Sequence, residues 1–370
     1  MDQTKLYVGL DVHARTINVS VLRGEKKPEE WQLANEPKSV AALARRLRRE
    51  AGDSVVCCYE AGPTGFGLKR TLDAKGIDCR VIAPALIPTK PGDRVKTDRR
   101  DARNLAHLLR AGLLTEVHQP TERQESVRNL TRGREDAVAA RKTAQVQLSG
   151  FLLRAGHHYG KSTWTREHRC WLRSLSFEEV GDQAAFDGYL QRVEMADEHI
   201  RLMEQRLSDI VASEEYAPEA GLLRCFRGID TVTAMTILGE LGDITRFGSP
   251  DQLAAYVGLV ASEHSSGPRT RRGGITKTGN EHVRRVLVEA GWHSIRPYRV
   301  GAPLRRRRKG QPGWAVAMAD KTGSRMSRRY RHLKERGKPS QVAVVAVARE
   351  LLAAIWAVLR THADQRRQAA

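Results

Sequence analysis

The sequence has few cysteines and lacks the patterns that would give them a structural role. Its 370 residues include five cysteines, an odd number, and none belongs to a Cys-x-x-Cys pair. No histidine stands at the spacing typical of a zinc site. These absences argue against a structural zinc site and against a secreted, disulfide-stabilised protein, and we expect a reducing, cytoplasmic compartment.

Uninterrupted apolar runs are scarce as well. The first residues do not show the basic and then apolar layout of a signal peptide. The stretch from Val342 to Leu359 is strongly apolar, but Arg349 and Glu350 stand at its centre, where charge is costly in a membrane. We therefore expect a buried helix there that closes a core or an interface, and no membrane partner.

An ATP-type phosphate loop is also missing. Residues 62–69 are rich in glycine, but the spacing Gly-x4-Gly-Lys-Ser/Thr is absent. The segment is more typical of a tight turn that leads into a helix. We therefore exclude ATP binding at this position.

Acidic residues are the minority charge. The chain has 63 Lys and Arg against 43 Asp and Glu, which gives a formal net charge of +20. The basic residues are spread along the whole chain and are not gathered beside one amphipathic helix, which disfavours a membrane surface. The charge indicates a nucleic acid as the main partner.

Residues 1–121 alternate between strand and helix patterns. The predicted order is strand, strand, strand, helix, strand, helix, strand, helix. It begins with the alternating Leu6, Val8 and Leu10, and ends in a helix from about Asp98 to Leu109. This order is that of a ribonuclease-H-like, resolvase-like α/β domain.

The rest of the chain is predicted to be all-α. We expect a helical arm over 122–215, either a coiled coil or a solvated spacer. A mainly helical domain over 216–297 follows, and 298–370 is a basic extension with a C-terminal helix. The segment 298–339 is so rich in Arg, Lys and Gly that we expect it to become ordered only on a nucleic acid.

Four carboxylates fall where this α/β order would bring them together. Asp11 ends the first predicted strand and Glu60 the fourth, and these strands are neighbours in the ribonuclease-H-like fold. Asp98 and Asp101 lie one turn apart at the start of a helix. Each acid alone has a structural explanation, as a turn or helix-terminal residue. Together they predict a Mg²⁺ site for phosphoryl transfer, because close carboxylates repel one another unless a cation lies between them.

A second candidate contact with nucleic acid lies near residue 230. The segment Arg227–Ala234 stands between two predicted helices and resembles a helix-hairpin-helix, in which backbone N–H groups hold a phosphate. Asp230 stands where a second glycine is usual, and Arg227 replaces the usual proline. The segment predicts either a DNA contact through Arg227 or a turn that only packs the domain.

The segment from Ser262 to Asn280 combines hydroxyl residues, glycines and cations, as a loop that binds a phosphodiester would. Its serines include Ser265 and Ser266, and either could attack phosphorus to give a covalent intermediate. By composition alone, a plain phosphate-binding loop is favoured over a nucleophilic serine. The cations expected to contact the nucleic acid are Arg269, Arg271, Arg272 and Lys277.

These segments together resemble one family: the insertion-sequence transposases of the IS one-ten family, which join a resolvase-like DEDD domain to a C-terminal serine domain. The resemblance covers about residues 5–296. It is carried by residues 9–13 (GLDVH), 59–65 (YEAGPTG), 96–102 (KTDRRDA), 228–234, 241–244 (LGDI), 255–259 (AYVGL), 265–267 (SSG) and 274–280 (GITKTGN).

The resemblance implies Mg²⁺ at Asp11, Glu60, Asp98 and Asp101 and a nucleophilic serine directly before Gly267, which is Ser266. It also implies a homo-oligomer, a dimer or tetramer, that assembles composite active sites. It further implies a bridge RNA, encoded beside the gene, that pairs with donor and target DNA. The host would be a prokaryote, with the active protein at the nucleoid. The role of the Arg-rich segment 298–340 does not follow from the resemblance.

Two other functions remain open from the sequence. A metal-dependent junction-resolving nuclease would use water as the nucleophile and would not need Ser266. A non-catalytic basic nucleic-acid-binding protein would bind in a salt-sensitive way without changing strands. A trapped protein–DNA adduct would identify the recombinase. Cleavage without an adduct would identify the nuclease, and salt-sensitive binding without Mg²⁺-dependent strand change the non-catalytic binder.

Overall fold

The computed structural model describes residues 5–88, 97–263 and 271–369. The chain divides into two compact units, Met1–Gln119 and Pro120–Ala370. The first contains a five-stranded sheet with helices, and the second is mainly helical. The predicted combination of an α/β domain with an all-α remainder is therefore present.

The sheet of the first unit has the order β3-β2-β1-β4-β5. Strand β1 pairs with β2 antiparallel and with β4 parallel, so the first and fourth strands are neighbours, as predicted. The strands are β1 (Leu6–Val12), β2 (Thr16–Arg23), β3 (Glu29–Ala34), β4 (Val55–Glu60) and β5 (Asp78–Ile82).

Helices cover both faces of this sheet: α1 (Pro37–Ala51), α2 (Gly67–Asp73) and α3 (Asp98–Arg110). Helix α1 buries a stripe that includes Val40 and Leu47 in one core with Val8. Helix α3 buries Leu105 in a second hydrophobic cluster, which also contains Cys58. Alternate residues of each strand serve the two cores, because side chains alternate across a strand.

The predicted arm contains two long helices that run antiparallel. The helices of this region are α4 (Glu122–Arg154), α5 (Arg166–Ser174) and α6 (Val180–Val211). Ion pairs join Arg134 to Glu204 and Arg141 to Asp197. The four fully buried residues of α6 lie seven positions apart, the repeat that a coiled coil uses: Phe186, Val193, Ile200 and Leu207.

The rest of the second unit shares one hydrophobic core. Its elements are α7 (Ala217–Leu223), α8 (Thr231–Leu241), α9 (Pro250–Tyr256), β6 (Ala261–Glu263), β7 (Arg272–Ile275), α10 (Glu281–Gly291), α11 (Ala302–Arg308), α12 (Gly313–Glu335) and α13 (Ser340–Ala369). This core joins Phe226 and Val283 to Tyr330 and Leu351, so the predicted ranges 216–297 and 298–370 pack together.

The expectation that 298–339 needs a nucleic acid to become ordered is wrong. Helices α11 and α12 occupy most of this segment. Ala315, Met326 and Tyr330 are buried in the core. The Arg content hid this apolar stripe, because long basic side chains cover the opposite face of the helix.

Helix α13 is long and apolar enough to cross a membrane by length and composition, and more than half of its most apolar stretch is buried within the protein. Leu351 and Ile355 lie in the core. The charges at its centre are paired, Arg349 with Asp251 at 2.8 Å and Glu350 with Arg325 at 2.9 Å. The helix therefore packs as the predicted core-closing helix.

Candidate active site

Two of the four predicted carboxylates stand at adjacent strand ends. The parallel register of β1 and β4 pairs Leu10 with Tyr59, and Asp11 and Glu60 are the next residue on each strand. Side chains alternate between the two faces along a strand, so Asp11 and Glu60 lie on the same sheet face as Gly9 and Cys58. That is the face that α3 covers.

Helix α3 approaches this face closely because β1 has a glycine there. A Cβ atom on Gly9 would lie 2.0 Å from the carbonyl oxygen of Ala102 and 2.6 Å from the backbone nitrogen of Ala106. The Sγ of Cys58 donates to the carbonyl oxygen of Leu105 at 3.7 Å. The helix begins at Asp98, so its first turn lies at the same end of the sheet as Asp11.

Replacing Gly9 with alanine is expected to destabilise the first unit by about 2–3 kcal/mol, because the new methyl group must displace the α3 backbone. Urea unfolding measures this effect. Gly67→Ala is the matched control, since nothing lies within 4 Å of its Cβ position. Equal unfolding midpoints for the two variants would contradict this role of Gly9.

Asp11, Asp98 and Asp101 share one electrostatic neighbourhood. Burial raises the pKa of Asp11, the nearby His13 lowers it, and the negative charges of Asp98 and Asp101 raise it further. The side chain of Asp11 is 21% exposed and that of Asp98 is 59% exposed. The cluster is therefore open to a ligand on one side and partly desolvated on the other.

A histidine that the sequence analysis did not assign to the site joins this cluster. The Nε2 of His13 lies 3.1 Å from Oδ2 of Asp11 and 3.5 Å from Oδ2 of Asp98. One ligand atom from each of these three residues lies within 4.8 Å of the others. The spacing Asp-x-His at a strand end was the available signal, because residues i and i+2 point to the same side.

The donor set suits a divalent cation. Carboxylate oxygens and an imidazole nitrogen converge, and the carboxylates repel one another in a site where burial already disfavours charge. A cation between them would offset that repulsion. His13 also allows a metal softer than Mg²⁺, since imidazole suits transition metals.

The predicted serine site belongs to the second unit and is described only in part. Ser265, Ser266 and Arg269 lie outside the described residues. Strands β6 and β7, which flank residues 264–270, pair antiparallel with Glu263 opposite Arg272. Arg271 is exposed beside them.

The turn after β7 is held tightly. Lys277 has a positive φ of 56°, unusual for a residue with a side chain, and is exposed. A Cβ on Gly279 would lie 2.0 Å from the carbonyl oxygen of Tyr256. Nη1 of Arg284 donates to the carbonyl oxygens of Val257 and Thr278, at 2.7 and 3.1 Å. Lys277 is thus presented to solvent from a rigid turn.

The buried carboxylate of Glu240 holds this turn through a hydrogen bond from Asn280. Glu240 has 0% exposure and accepts from Nε of Arg132 at 2.7 Å and from Nδ2 of Asn280 at 2.7 Å. Asn280 also caps α10, where its Oδ1 accepts from the backbone N–H of Val283 at 3.0 Å. Burial acts to raise the pKa of Glu240, but the hydrogen bonds from Arg132 and Asn280 and the positive charge of Arg128 leave it lowered.

Glu240→Gln is expected to cost about 2–3 kcal/mol at neutral pH, because it removes the buried carboxylate that accepts from Arg132 and pairs with Arg128, both partly exposed. The folded-state pKa is below the unfolded one, so this stability is present above the ordinary pKa of glutamate and is lost as pH falls through the folded value. Urea unfolding from neutral to acid pH measures it. Glu198→Gln on the exposed face of α6 is the control and should change nothing. Equal loss in both variants would contradict the role of Glu240.

In the predicted hairpin, the side chains of Asp230 and Arg227 form hydrogen bonds within the protein. Oδ1 of Asp230 accepts from the backbone N–H of Thr233 at 2.8 Å and so caps α8. Nη1 of Arg227 donates to the carbonyl oxygens of Arg296 and Pro297, at 3.4 and 3.0 Å. The turn therefore has a packing role, and a DNA contact by Arg227 stays a prediction.

Two family models match this chain. The family model DEDD_Tnp_IS110, described as a transposase, matches residues 8–156, and the model of the Transposase IS116/IS110/IS902 family matches residues 220–303. The chain belongs to the IS110 family of insertion-sequence transposases. A DEDD domain implies a divalent metal ion, and insertion-sequence transposases act on DNA.

Curated relatives agree with this assignment over most of the chain. It is 39% identical over 362 residues to the putative transposase y4qE of Sinorhizobium fredii, covering 97% of this chain and 90% of the relative. It is 34% identical over 346 residues to the transposase for insertion sequence element IS1533 of Leptospira borgpetersenii, covering 90% and 98%. A more distant match, 27% identical over 233 residues, is the transposase for insertion sequence element IS1328 of Yersinia enterocolitica, with 60% and 65% covered.

Proposed function

We propose that this chain cuts and rejoins DNA strands during transposition, with a Mg²⁺-binding carboxylate site and a serine nucleophile. The four carboxylates are Asp11, Glu60, Asp98 and Asp101, and the serine is Ser266. The observation that carries the proposal is the convergence of ligand atoms from Asp11, His13 and Asp98 within 4.8 Å of one another, where burial, and then the charges of Asp98 and Asp101, raise the pKa of Asp11. Such mutual repulsion is costly in a protein that never binds a cation there.

The carboxylates would hold the metal and His13 would orient Asp11. Glu60, at the adjacent strand end on the same sheet face, would supply a further oxygen ligand. When bound, Mg²⁺ supplies positive charge that offsets the negative charge developing on phosphate oxygens. The exposed side of the cluster, at Asp98, leaves space for a DNA phosphate.

Ser266 would attack the scissile phosphorus through its Oγ. An Oγ–P bond forms, the bond from phosphorus to one deoxyribose oxygen breaks, and that oxygen leaves as a hydroxyl after taking up a proton. The hydroxyl of a second strand then attacks the same phosphorus, and Oγ regains a proton as it leaves. This order conserves one phosphodiester bond and needs no external energy source.

The cations around the serine segment would bind the phosphodiester. Arg271 is exposed beside β7, and Lys277 is exposed on its rigid turn. We include Arg269 and Arg272 because they belong to the same basic segment. Positive charge fixed near the phosphate stabilises the charge that builds in the transition state.

A strand-exchange assay with adduct trapping tests the proposal. The full chain is mixed with two duplexes and Mg²⁺, quenched with detergent and digested, and peptides that carry nucleotide are identified by mass spectrometry. We expect exchanged strands and a nucleotide on Ser266. A nucleotide on Ser265 would move the nucleophile by one position. Cleavage without any adduct would replace the proposal by a junction-resolving nuclease, and binding without cleavage by a non-catalytic binder.

Two partners complete the proposal. We propose a bridge RNA, encoded beside the gene, that pairs with donor and target DNA, and a homo-oligomer that is a dimer or tetramer. The net charge of +20 supports binding of more than one nucleic acid. Sequencing of RNA that copurifies with the protein from its bacterial cytoplasm tests the first, and light scattering of the complex tests the second.

A further inference from the structure

Helix α11 holds four consecutive arginines, and one of them is an anchor. Arg308 is buried, and its Nε and Nη2 donate to the carbonyl oxygen of Cys225 at 2.9 and 2.8 Å. Its Nη1 donates to Oδ1 of Asp320 at 2.8 Å, and its Nη2 to the hydroxyl of Tyr298. This clamp fixes α11 beside the turn that follows α7.

Two arginines near this clamp, Arg224 and Arg307, have buried Nε atoms without a hydrogen-bond partner in the described part of the chain. Burial lowers the pKa of Arg307, Asp230 acts to raise it, and the positive charges of Arg224 and Arg308 lower it again. Like charges are thus held together in a partly desolvated place, which favours an anion as ligand.

The exposed side of α11 also carries cations that are not paired with carboxylates in the described part of the chain. Arg305, Arg306 and Lys309 line a surface cavity of about 540 Å³, together with Arg308, Val300 and Val316. Neither a carboxylate nor an aromatic ring is among these lining residues. Among the residues that the structure describes, these three cations have no carboxylate partner. We call Arg305, Arg306 and Lys309 the basic face.

We propose that the basic face binds the phosphate backbone of duplex DNA without reading its sequence. Cations without partners gain most from phosphates, and their binding releases counterions from the DNA. The lack of aromatic rings in the cavity disfavours single strands, whose bases stack on such rings. The inference rests on the proposed function, which makes DNA the substrate, and gives the Arg-rich extension a role that the carboxylate and serine sites do not supply.

Removing three exposed cations tests the inference. The full-length variant Arg305→Gln/Arg306→Gln/Lys309→Gln is titrated with a fluorescent duplex DNA of arbitrary sequence in EDTA, over a range of salt concentrations. We expect about 100-fold weaker binding near physiological salt, and a log–log salt slope smaller by about 2–3, because each lost phosphate contact removes about 0.9 from the slope. The side chains are exposed, so the melting temperature should not change.

The matched control removes the same charge from the helical arm, in Lys142→Gln/Arg154→Gln/Arg192→Gln, at exposed positions. Equal weakening in both variants would overturn the inference in favour of net charge alone. A triple variant that binds double-stranded RNA more weakly but binds duplex DNA as tightly as the parent protein would also overturn the inference. EDTA excludes catalysis, so the titration measures DNA binding alone. The basic face can therefore be confirmed or rejected as a DNA-binding surface independently of whether the chain exchanges strands.

Discussion

Replacing Asp11 with asparagine is expected to abolish Mg²⁺-dependent strand exchange while leaving duplex DNA binding in EDTA unchanged. The variant keeps the shape of the side chain but removes the carboxylate on which His13, Asp98 and Asp101 all act. A loss of about 10²–10³-fold or more is expected, as for other groups that stabilise transition-state charge. Quantitative gel assays of exchanged strands measure the loss.

Stability separates a catalytic role of Asp11 from a structural one. Burial and two negative neighbours raise the pKa of Asp11, so the neutral amide should not destabilise the fold without metal. Mg²⁺ should raise the melting temperature of the parent protein and not that of the variant, because a ligand stabilises only the state that binds it. Asp53→Asn, on an exposed residue paired with Arg48, is the control. A lower melting temperature of Asp11→Asn in EDTA would indicate a structural residue instead.

Ser266→Ala is expected to remove both the protein–DNA adduct and strand exchange, because no other oxygen on the protein would carry the phosphoryl group between strands. Mg²⁺ binding should persist, since the carboxylates belong to the other compact unit. The adduct is measured on denaturing gels with labelled DNA.

The neighbouring serine provides the control for this loss. Ser265→Ala removes the same oxygen one residue earlier and should keep most of the activity. The reverse pattern would assign the nucleophile to Ser265. Full exchange by both single variants, with loss only in the double variant, would contradict a unique serine nucleophile.

The sequence was sufficient for the N-terminal fold because its patterns are local. Apolar and polar residues alternate in Leu6–Val12, and a short apolar run precedes Glu60, so both segments are predicted as strands. The predicted strand order then places Asp11 and Glu60 at neighbouring strand ends. Gly9 illustrates what local patterns leave out. Its role depends on the Ala102 backbone, which is distant in sequence.

The buried polar contacts of the second unit could not be predicted. Arg132, Glu240 and Asn280 come from three separate elements, and each is common on solvated surfaces when seen alone. His13 was missed for a related reason: one histidine beside an acid is frequent, and only the approach of Asp98 makes it a third donor.

The error over 298–339 has a physical cause as well. A high Arg content is typical of segments that stay solvated, and the composition outweighed the helical spacing of Ala315, Ala319 and Tyr330. Arg308 contradicts that interpretation directly. It is buried because the Cys225 carbonyl, Tyr298 and Asp320 satisfy its guanidinium.

Iron-directed cleavage of the protein chain tests the central claim, a metal site shared by acids from distant parts of the first unit. Fe²⁺ takes the place of the native ion and, with ascorbate and peroxide, cuts the backbone next to the place where it binds. We expect cuts close to residues 11, 60 and 98–101, all suppressed by excess Mg²⁺ and absent in Asp11→Asn. Cuts confined to one of these segments, or unchanged in the variant, would contradict a shared site.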